Sequence, residues 1–283
     1  MIHVGVRKRD DDTVESNADG KIAEESRLTE TVYRTGMPVS AALVTDTHNT
    51  DSTDITASLL NRRPEMIFIA GDIFYGVPCE SEECFLDRQK NTVKLLESCA
   101  SIAPTFLSLG NHERYISVTD IRKIEDMGVS VRDNTWVRCG DIVVGGLTSA
   151  SVTSYQRYRA SADPGCTYPK RRRNQMPVKK PLPDTSWLSS FESQDGYKVL
   201  LCHHPEYRDL YLSGRKIDLI VSGHAHGGQI RVFGHGIYSP GQGIFPKYTG
   251  GMYGNMIVSR GLSNTGFVIP RLFNECEIVY IDR

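Results

Sequence analysis

Residues 41–48 read Ala-Ala-Leu-Val-Thr-Asp-Thr-His, a short apolar run followed at once by polar side chains. Such a run is typical of a strand buried on both faces, so the polar residues fall where the strand ends. The pattern recurs along the chain, and the polar groups that follow the runs are Asp46-Thr47-His48, Gly71-Asp72, Gly110-Asn111-His112-Glu113, His203-His204-Pro205 and Gly223-His224-Ala225-His226. Ligands bind at the carboxyl ends of strands in open α/β sheets, so the pattern predicts one shared site.

The spacing of the apolar runs predicts an α/β fold. From residue 39 onward, strands and helices alternate in a βαβαβα order with a mainly parallel sheet. The predicted strands are 39–45, 65–70 and 104–109, and the predicted helices are 53–62, 85–101 and 118–127. After Met127, short strands at 129–131, 135–138 and 142–147 leave no room for helices between them, which predicts a second, mixed sheet. The later predicted elements are helix 185–193, strand 197–202, helix 205–213, strand 217–222 and strand 277–281.

Two segments fall outside the regular pattern. Residues 1–36 are rich in charge and poor in large apolar side chains, so we expect a polar N-terminal arm with one edge strand near 31–34, and a domain spanning 37–283. Residues 150–184 are interpreted as an irregular basic insertion. Its basic run at 170–173 is taken as a solvated loop, with contact to an anionic substrate or nucleic acid as the alternative.

The composition of the chain limits its possible binding partners and cellular compartments. The 283 residues carry 33 basic and 34 acidic side chains, a net charge of -1, which removes a global electrostatic case for binding nucleic acid or a membrane surface. Any affinity for anions must therefore be local. Seven scattered cysteines without CxxC spacing are typical of a reduced compartment. We find no apolar run near the ~20 residues needed to span a bilayer and no signal peptide, so we expect a cytoplasmic protein.

The polar groups together form a set of metal ligands. Asp72 follows a very apolar strand, where a carboxylate is expensive to bury unless it meets cations, so it is the natural bridging ligand. Asp46 and His48 lie two residues apart and reach one ion only if the strand ends there and the chain turns. An amide oxygen and imidazole nitrogens complete a set that suits Mn, Zn or Fe and is poor for Ca. They come from Asn111, His203, His224 and His226.

The order of these motifs resembles that of the calcineurin-like metallophosphoesterases. The resemblance runs from about residue 38 to the C-terminus and implies a four-layer α/β/β/α sandwich of two mixed β-sheets flanked by helices. The extended Gly-His-x-His-Gly-Gly-Gln motif at 223–229, with the stretches at 238–243 and 259–262, looks like a bacterial branch of predicted phosphohydrolases. That branch often carries an N-terminal membrane or export segment, which we do not expect in this chain.

The resemblance also implies roles for individual residues. Two divalent or mixed-valence ions would share Asp72, and a metal-bound hydroxide would attack phosphorus in line. His112 would stabilise or protonate the leaving oxygen, oriented by Glu113, which stands where many relatives have Asp. The choice of His203 over its neighbour His204 as a ligand rests on motif alignment. The implied ligands are Asp46, His48, Asp72 and His226 for the first ion, and Asp72, Asn111, His203 and His224 for the second.

The predicted function is hydrolysis of a small-molecule phosphate ester, with a phosphodiester favoured. One alternative is a noncatalytic metal-binding scaffold for protein partners, against which His112 argues because a scaffold needs no leaving-group acid. Another is a metal-dependent nuclease, which the near-neutral charge disfavours. The sequence does not identify the leaving group.

Overall fold

The computed structural model describes residues 28–76, 85–152, 182–263 and 269–283. Two six-stranded sheets lie face to face, and helices cover their outer faces. This is the four-layer α/β/β/α arrangement expected from the motifs. Most of the predicted basic insertion and the arm before residue 28 lie outside the described residues.

The strands of the described part of the chain are short, and their bounds follow the apolar runs. They are β1 (Leu28–Arg34), β2 (Ala41–Val44), β3 (Met66–Ile69), β4 (Thr105–Ser108), β5 (Val129–Arg132), β6 (Thr135–Cys139), β7 (Ile142–Leu147), β8 (Tyr197–Cys202), β9 (Leu219–Ser222), β10 (Arg231–Val232), β11 (His235–Gly236), β12 (Tyr238–Ser239), β13 (Gly243–Ile244), β14 (Gly251–Tyr253), β15 (Met256–Val258) and β16 (Cys276–Asp282). The described α-helices are α1 (Thr53–Arg62), α2 (Lys90–Ile102), α3 (Val118–Asp126), α4 (Leu188–Glu192) and α5 (Tyr207–Tyr211).

The first sheet has the strand order β1-β16-β2-β3-β4-β5. Strands β2 to β5 are parallel, and β16 enters antiparallel to β2 but parallel to β1. The second sheet has the order β14-β15-β9-β8-β7-β6, with a parallel centre and an antiparallel strand at each edge. Because the central strands of each sheet are parallel, their carboxyl ends meet at one edge, where the loops can converge.

Alternating side chains divide the core into three layers. In β2, Leu43 points between the two sheets while Val44 points toward the helices on the outer face. On that face α1 contributes Leu59. On the outer face of the second sheet, Phe191 of α4 packs with Leu200 of β8. A strand buried on both faces must be apolar at consecutive positions, which explains the continuous apolar runs.

Two predictions about where the first sheet begins and ends differ from the structure. The strand predicted at 129–131 was assigned to the second sheet, but β5 pairs with β4 in the first. Helix α3 returns the chain to the edge of the first sheet, so the change of sheet comes after Arg132. The edge strand expected near 31–34 is β1, and its seven residues all pair with β16. The first sheet therefore includes residues from the segment expected to be an arm.

None of the helices in these described ranges is both long enough and apolar enough to cross a lipid bilayer. The cytoplasmic location stays a prediction.

Candidate metal centre

The carboxyl ends of the two sheets bring all seven predicted ligands to one edge of the sandwich. The loops after β2, β3 and β4 carry the ligands of the first sheet, and the loops after β8 and β9 carry those of the second. The first sheet provides Asp46, His48, Asp72 and Asn111, and the second provides His203, His224 and His226. Most of these residues are buried to more than nine-tenths, so their polar atoms face one another and not bulk water.

The backbone turns sharply at the ligands. Asp46 and His48 have φ angles of 56° and 46°, so the strand ends and the chain turns as the spacing required. Asp72, His224 and His226 also have positive φ. Residues with a Cβ rarely adopt this conformation, which costs on the order of 1–2 kcal/mol each. Strain of this kind concentrates at functional sites, where the surrounding fold imposes it.

One ligand cluster consists of Asp46, His48 and His226. The Nε2 atoms of His48 and His226 are 3.3 Å apart, and His226 Nε2 lies 3.4 Å from Asp46 Oδ1. Burial lowers the pKa of His48 to about 4 and that of His226 well below its usual range. Both imidazoles are therefore neutral at neutral pH, and their lone pairs are available to a cation.

A second cluster consists of Asp72, His203 and His224. His203 Nδ1 lies 2.8 Å from the Ala70 carbonyl oxygen and donates to it, while Nε2 faces Asp72 Oδ2 at 3.0 Å. Burial alone would lower the pKa of His203, but the negative charge of Asp72 outweighs burial and raises it to about 10. In the metal-free protein Nε2 therefore carries a proton toward Asp72, and a cation bound between Nε2 and Asp72 would replace it.

The donor set fits two cations that share Asp72. Asp72 groups with His203 and His224 on one side and with His48 and His112 on the other. The Oδ1 atom of Asn111 is buried and has no hydrogen-bond partner, an open acceptor of the kind a metal ion satisfies. Carboxylate, amide and imidazole ligands in this mixture suit Mn, Zn or Fe. The residues present therefore agree with a dinuclear centre.

His112 faces the centre, but Glu113 does not orient it. His112 Nε2 lies 3.9 Å from Asp72 Oδ2, and Nδ1 accepts a hydrogen bond from the Gly76 backbone N–H at 3.2 Å. The fully buried Glu113 carboxylate instead accepts four backbone N–H groups. These donors belong to Asp72, Ile73, Phe74 and Gly110, at 2.6–3.2 Å. The prediction that Glu113 orients His112 was wrong, since the carboxylate is turned toward the backbone that carries Asp72.

Residues 40–228 match the family described as calcineurin-like phosphoesterase. The chain belongs to this family. An uncharacterized metallophosphoesterase of Campylobacter jejuni is 30% identical over 194 residues, which cover 63% of this chain and 42% of the relative. One of Helicobacter pylori is 25% identical over 231 residues, which cover 75% of this chain and 54% of the relative. The chain thus spans about half the length of the curated relatives it matches.

Among solved structures, the 5'-nucleotidase precursor from Thermus thermophilus aligns with a TM-score of 0.40 and 15% identity. The alignment covers 66% of this chain and 42% of that one. A likeness this distant carries no information about the substrate.

In this calcineurin-like phosphoesterase, the structure distinguishes His203 from His204. His204 Nε2 pairs with Ser149 Oγ at 2.8 Å, and Nδ1 lies 3.3 Å from Glu206 Oε1, so its ring nitrogens point away from Asp72. His204, Glu206 and His224 form a further group whose ligand atoms lie within 4.8 Å of one another. His203, and not His204, is therefore the histidine whose Nε2 faces Asp72.

Several supporting residues of this phosphoesterase escaped the sequence analysis. Thr45 Oγ1 donates to Asp46 Oδ2 at 3.0 Å, and the His224 backbone N–H donates to the same carboxylate at 3.1 Å. Asn274, from a distant loop, donates to the carbonyl oxygen of His226 at 2.7 Å. Thr45 adjoins a predicted ligand and could have been found from that position. Asn274 lies 48 residues from its partner and carries no local signal.

Proposed function

We propose that the protein hydrolyses a small-molecule phosphate ester, with a phosphodiester favoured, using two metal ions. The observation that carries this proposal is the adjacency of the two ligand clusters: His48 of the first also groups with Asp72 of the second, and His112 Nε2 lies 3.9 Å from the same Asp72 carboxylate. The motif at 223–229 supports placing the chain in the bacterial branch of predicted phosphohydrolases. When bound, the two ions would lower the pKa of a water molecule and offset charge on the phosphoryl oxygens.

His112 has a defined protonation pattern for this role. Its Nδ1 accepts the Gly76 N–H, so the neutral ring carries its proton on Nε2, the atom that faces the centre. Burial lowers the pKa of His112, which favours this neutral form at neutral pH. The Nε2–H group is thus placed to donate to the oxygen that leaves phosphorus.

The test is a comparison of two variants, each stripped with a chelator and reloaded with Mn, Zn or Fe. Metal content and hydrolysis of bis-p-nitrophenyl phosphate and p-nitrophenyl phosphate are measured. We expect Asp72→Ala to lose metal and turnover together. His112→Ala should keep its metal but lose about 100- to 10,000-fold in turnover, the usual contribution of general acid–base catalysis.

Two results would refute the proposal. Asp72→Ala with full metal content and full turnover would remove Asp72 from the centre. A metal-loaded protein that cleaves neither these esters nor a panel of natural diesters would be a metal-binding scaffold instead.

A further inference from the structure

A further cluster of polar side chains lies beside the metal centre, on loops of the second sheet. It consists of His204 and Glu206, which follow β8, and His224, which follows β9. The ligand atoms of these three side chains lie within 4.8 Å of one another. His204 and Glu206 belong to neither of the two ligand clusters described above. The cluster is therefore a separate group with the chemistry of a cation site.

The His204 ring is held in one orientation. It is more than nine-tenths buried and stacks on the Tyr207 ring, with 4.7 Å between the two centroids. His204 Nε2 lies 2.8 Å from Ser149 Oγ, which also accepts the Ser151 backbone N–H at 3.3 Å. In the described part of the chain, His204 Nδ1 has no hydrogen-bond partner. The structure thus fits the tautomer that donates from Nε2 to Ser149 and leaves the Nδ1 lone pair open.

The Glu206 carboxylate faces this lone pair. Its Oε1 atom lies 3.3 Å from His204 Nδ1, but the two atoms are not in hydrogen-bond geometry. Glu206 directly precedes α5, yet its side chain does not cap that helix. Its Oε2 atom is buried and finds no hydrogen-bond partner among the described residues. A buried carboxylate beside a nitrogen lone pair is costly unless a cation lies between them.

The spacing of these atoms fits a zinc ion. Zinc lies about 2.0–2.2 Å from imidazole nitrogen and carboxylate oxygen, so two ligand atoms of a tetrahedral site are about 3.3–3.5 Å apart. The distance of 3.3 Å between His204 Nδ1 and Glu206 Oε1 has this length. Two imidazoles and one carboxylate also suit zinc better than Mg or Ca, which prefer oxygen ligands.

Gly241, in the β12–β13 turn, borders the cluster. A Cβ atom at Gly241 would lie 2.5 Å from Glu206 Oε1 and 3.4 Å from His224 Nε2. Both ligand atoms thus face the same small space, and the glycine keeps that space clear of a side chain.

We propose that His204, Glu206 and His224 form a third cation site, which takes a zinc ion. His224 also belongs to the cluster that contains Asp72, and a neutral imidazole has only one lone pair. The ion at the third site therefore competes for His224 and binds more weakly than the two ions of the proposed centre. The second ion keeps its other ligands, so it stays bound when the third site fills.

The test is equilibrium dialysis of the chelator-treated full chain against rising zinc concentrations, with bound zinc measured by atomic emission. The wild-type protein is compared with Glu206→Gln and His204→Gln. Glu206→Gln keeps the shape of the side chain and removes no helix cap, so it should preserve the fold. The control is Glu97→Gln, which makes the same charge change at an exposed position of α2.

At zinc concentrations above those that fill the centre, we expect the wild-type protein and the control to bind about one zinc ion per chain more than either site variant. Equal zinc content in all four proteins would overturn the proposal and indicate a proton between His204 and Glu206 instead. Loss of the ion from the control, or from only one of the site variants, would also overturn it.

The difference between the proteins separates the third site from the proposed centre. It does not depend on turnover or on how many ions the centre itself holds. If the wild-type protein bound about one ion and both site variants bound none, the third site would stand and the proposed centre would fail. If all four proteins bound two ions, the centre would stand and the third site would fail.

Discussion

The Glu113 carboxylate holds the chain segment that positions Asp72. Four backbone N–H groups converge on it, two at each oxygen. In Glu113→Gln, the side-chain NH2 group would replace one carboxylate oxygen. The two backbone N–H groups at that oxygen would then lose their acceptor, at a cost of about 1–3 kcal/mol each. We therefore expect the variant to lose about 2–6 kcal/mol in free energy of unfolding, measured by denaturant titration of the metal-free protein. Asp87→Asn, at an exposed carboxylate, is the control and should change little.

The Glu113→Gln variant distinguishes a supporting role of the Glu113 carboxylate from a catalytic one. If Glu113→Gln kept wild-type stability and metal content but lost turnover, the carboxylate would act on His112 after all.

His48 makes the stability of the metal-free protein depend on pH. Burial lowers its pKa from 6.5 to about 4, so the unfolded chain takes up this proton first as pH falls. Stability is therefore lost between pH 6.5 and about 4, by about 1.4 kcal/mol per pH unit at most. We expect the wild-type protein to lose about 3 kcal/mol more than His48→Gln across this window. Urea titrations in chelator at a series of pH values measure the difference, and parallel curves for the two proteins would contradict it.

At the scale of elements, the site depends on close contact between loops from different sheets. Gly223, after β9, faces the loop after β2, and a Cβ there would overlap Thr45 Oγ1 and Asp46 Oδ2. Its φ is not in the left-handed region, so the effect of a side chain is steric alone. We expect Gly223→Ala to separate the loops and weaken metal affinity by at least about tenfold, since displaced supporting groups cost that much in other metal sites.

Gly140→Ala provides the comparison for this steric effect. Gly140 lies in the β6–β7 turn with open space around it, so the change adds only strain from its φ of 60°. Calorimetric metal titration of both variants is the measurement. Equal affinities would show that the contact between the loops does not hold the site together.

At the scale of the whole molecule, the two ions would join the two sheets. Each sheet provides about half of the ligands, and the complete set exists only when both sheets are packed together. Ions that bind only the folded state raise its stability by about 2.7 kcal/mol at a free concentration 100 times the dissociation constant. Adding Mn or Zn to chelated protein should raise the free energy of unfolding by about that amount. Asp72→Ala should show no such rise, and an equal rise in both proteins would place the ions elsewhere.

The family comparison covers residues 40–228, whereas the described fold extends beyond both ends of that range. Strand β16 lies between β1 and β2, so the last strand of the chain completes the first sheet. The alternation of apolar runs predicted the parallel strands on either side of the site. It did not predict that 129–132 joins the first sheet, because an isolated strand pattern carries no information about its neighbour.

The sequence by itself determined which residues are candidate ligands and that they follow the strands. Strand identity is a local property of apolar runs, and ligand chemistry belongs to the side chains. Only the tertiary structure decided that Glu113 supports the Asp72 loop and that Gly76 fixes the His112 tautomer. Each of these depends on distances between segments remote along the chain. Such distances are set by the packing of the two sheets, which no local pattern records.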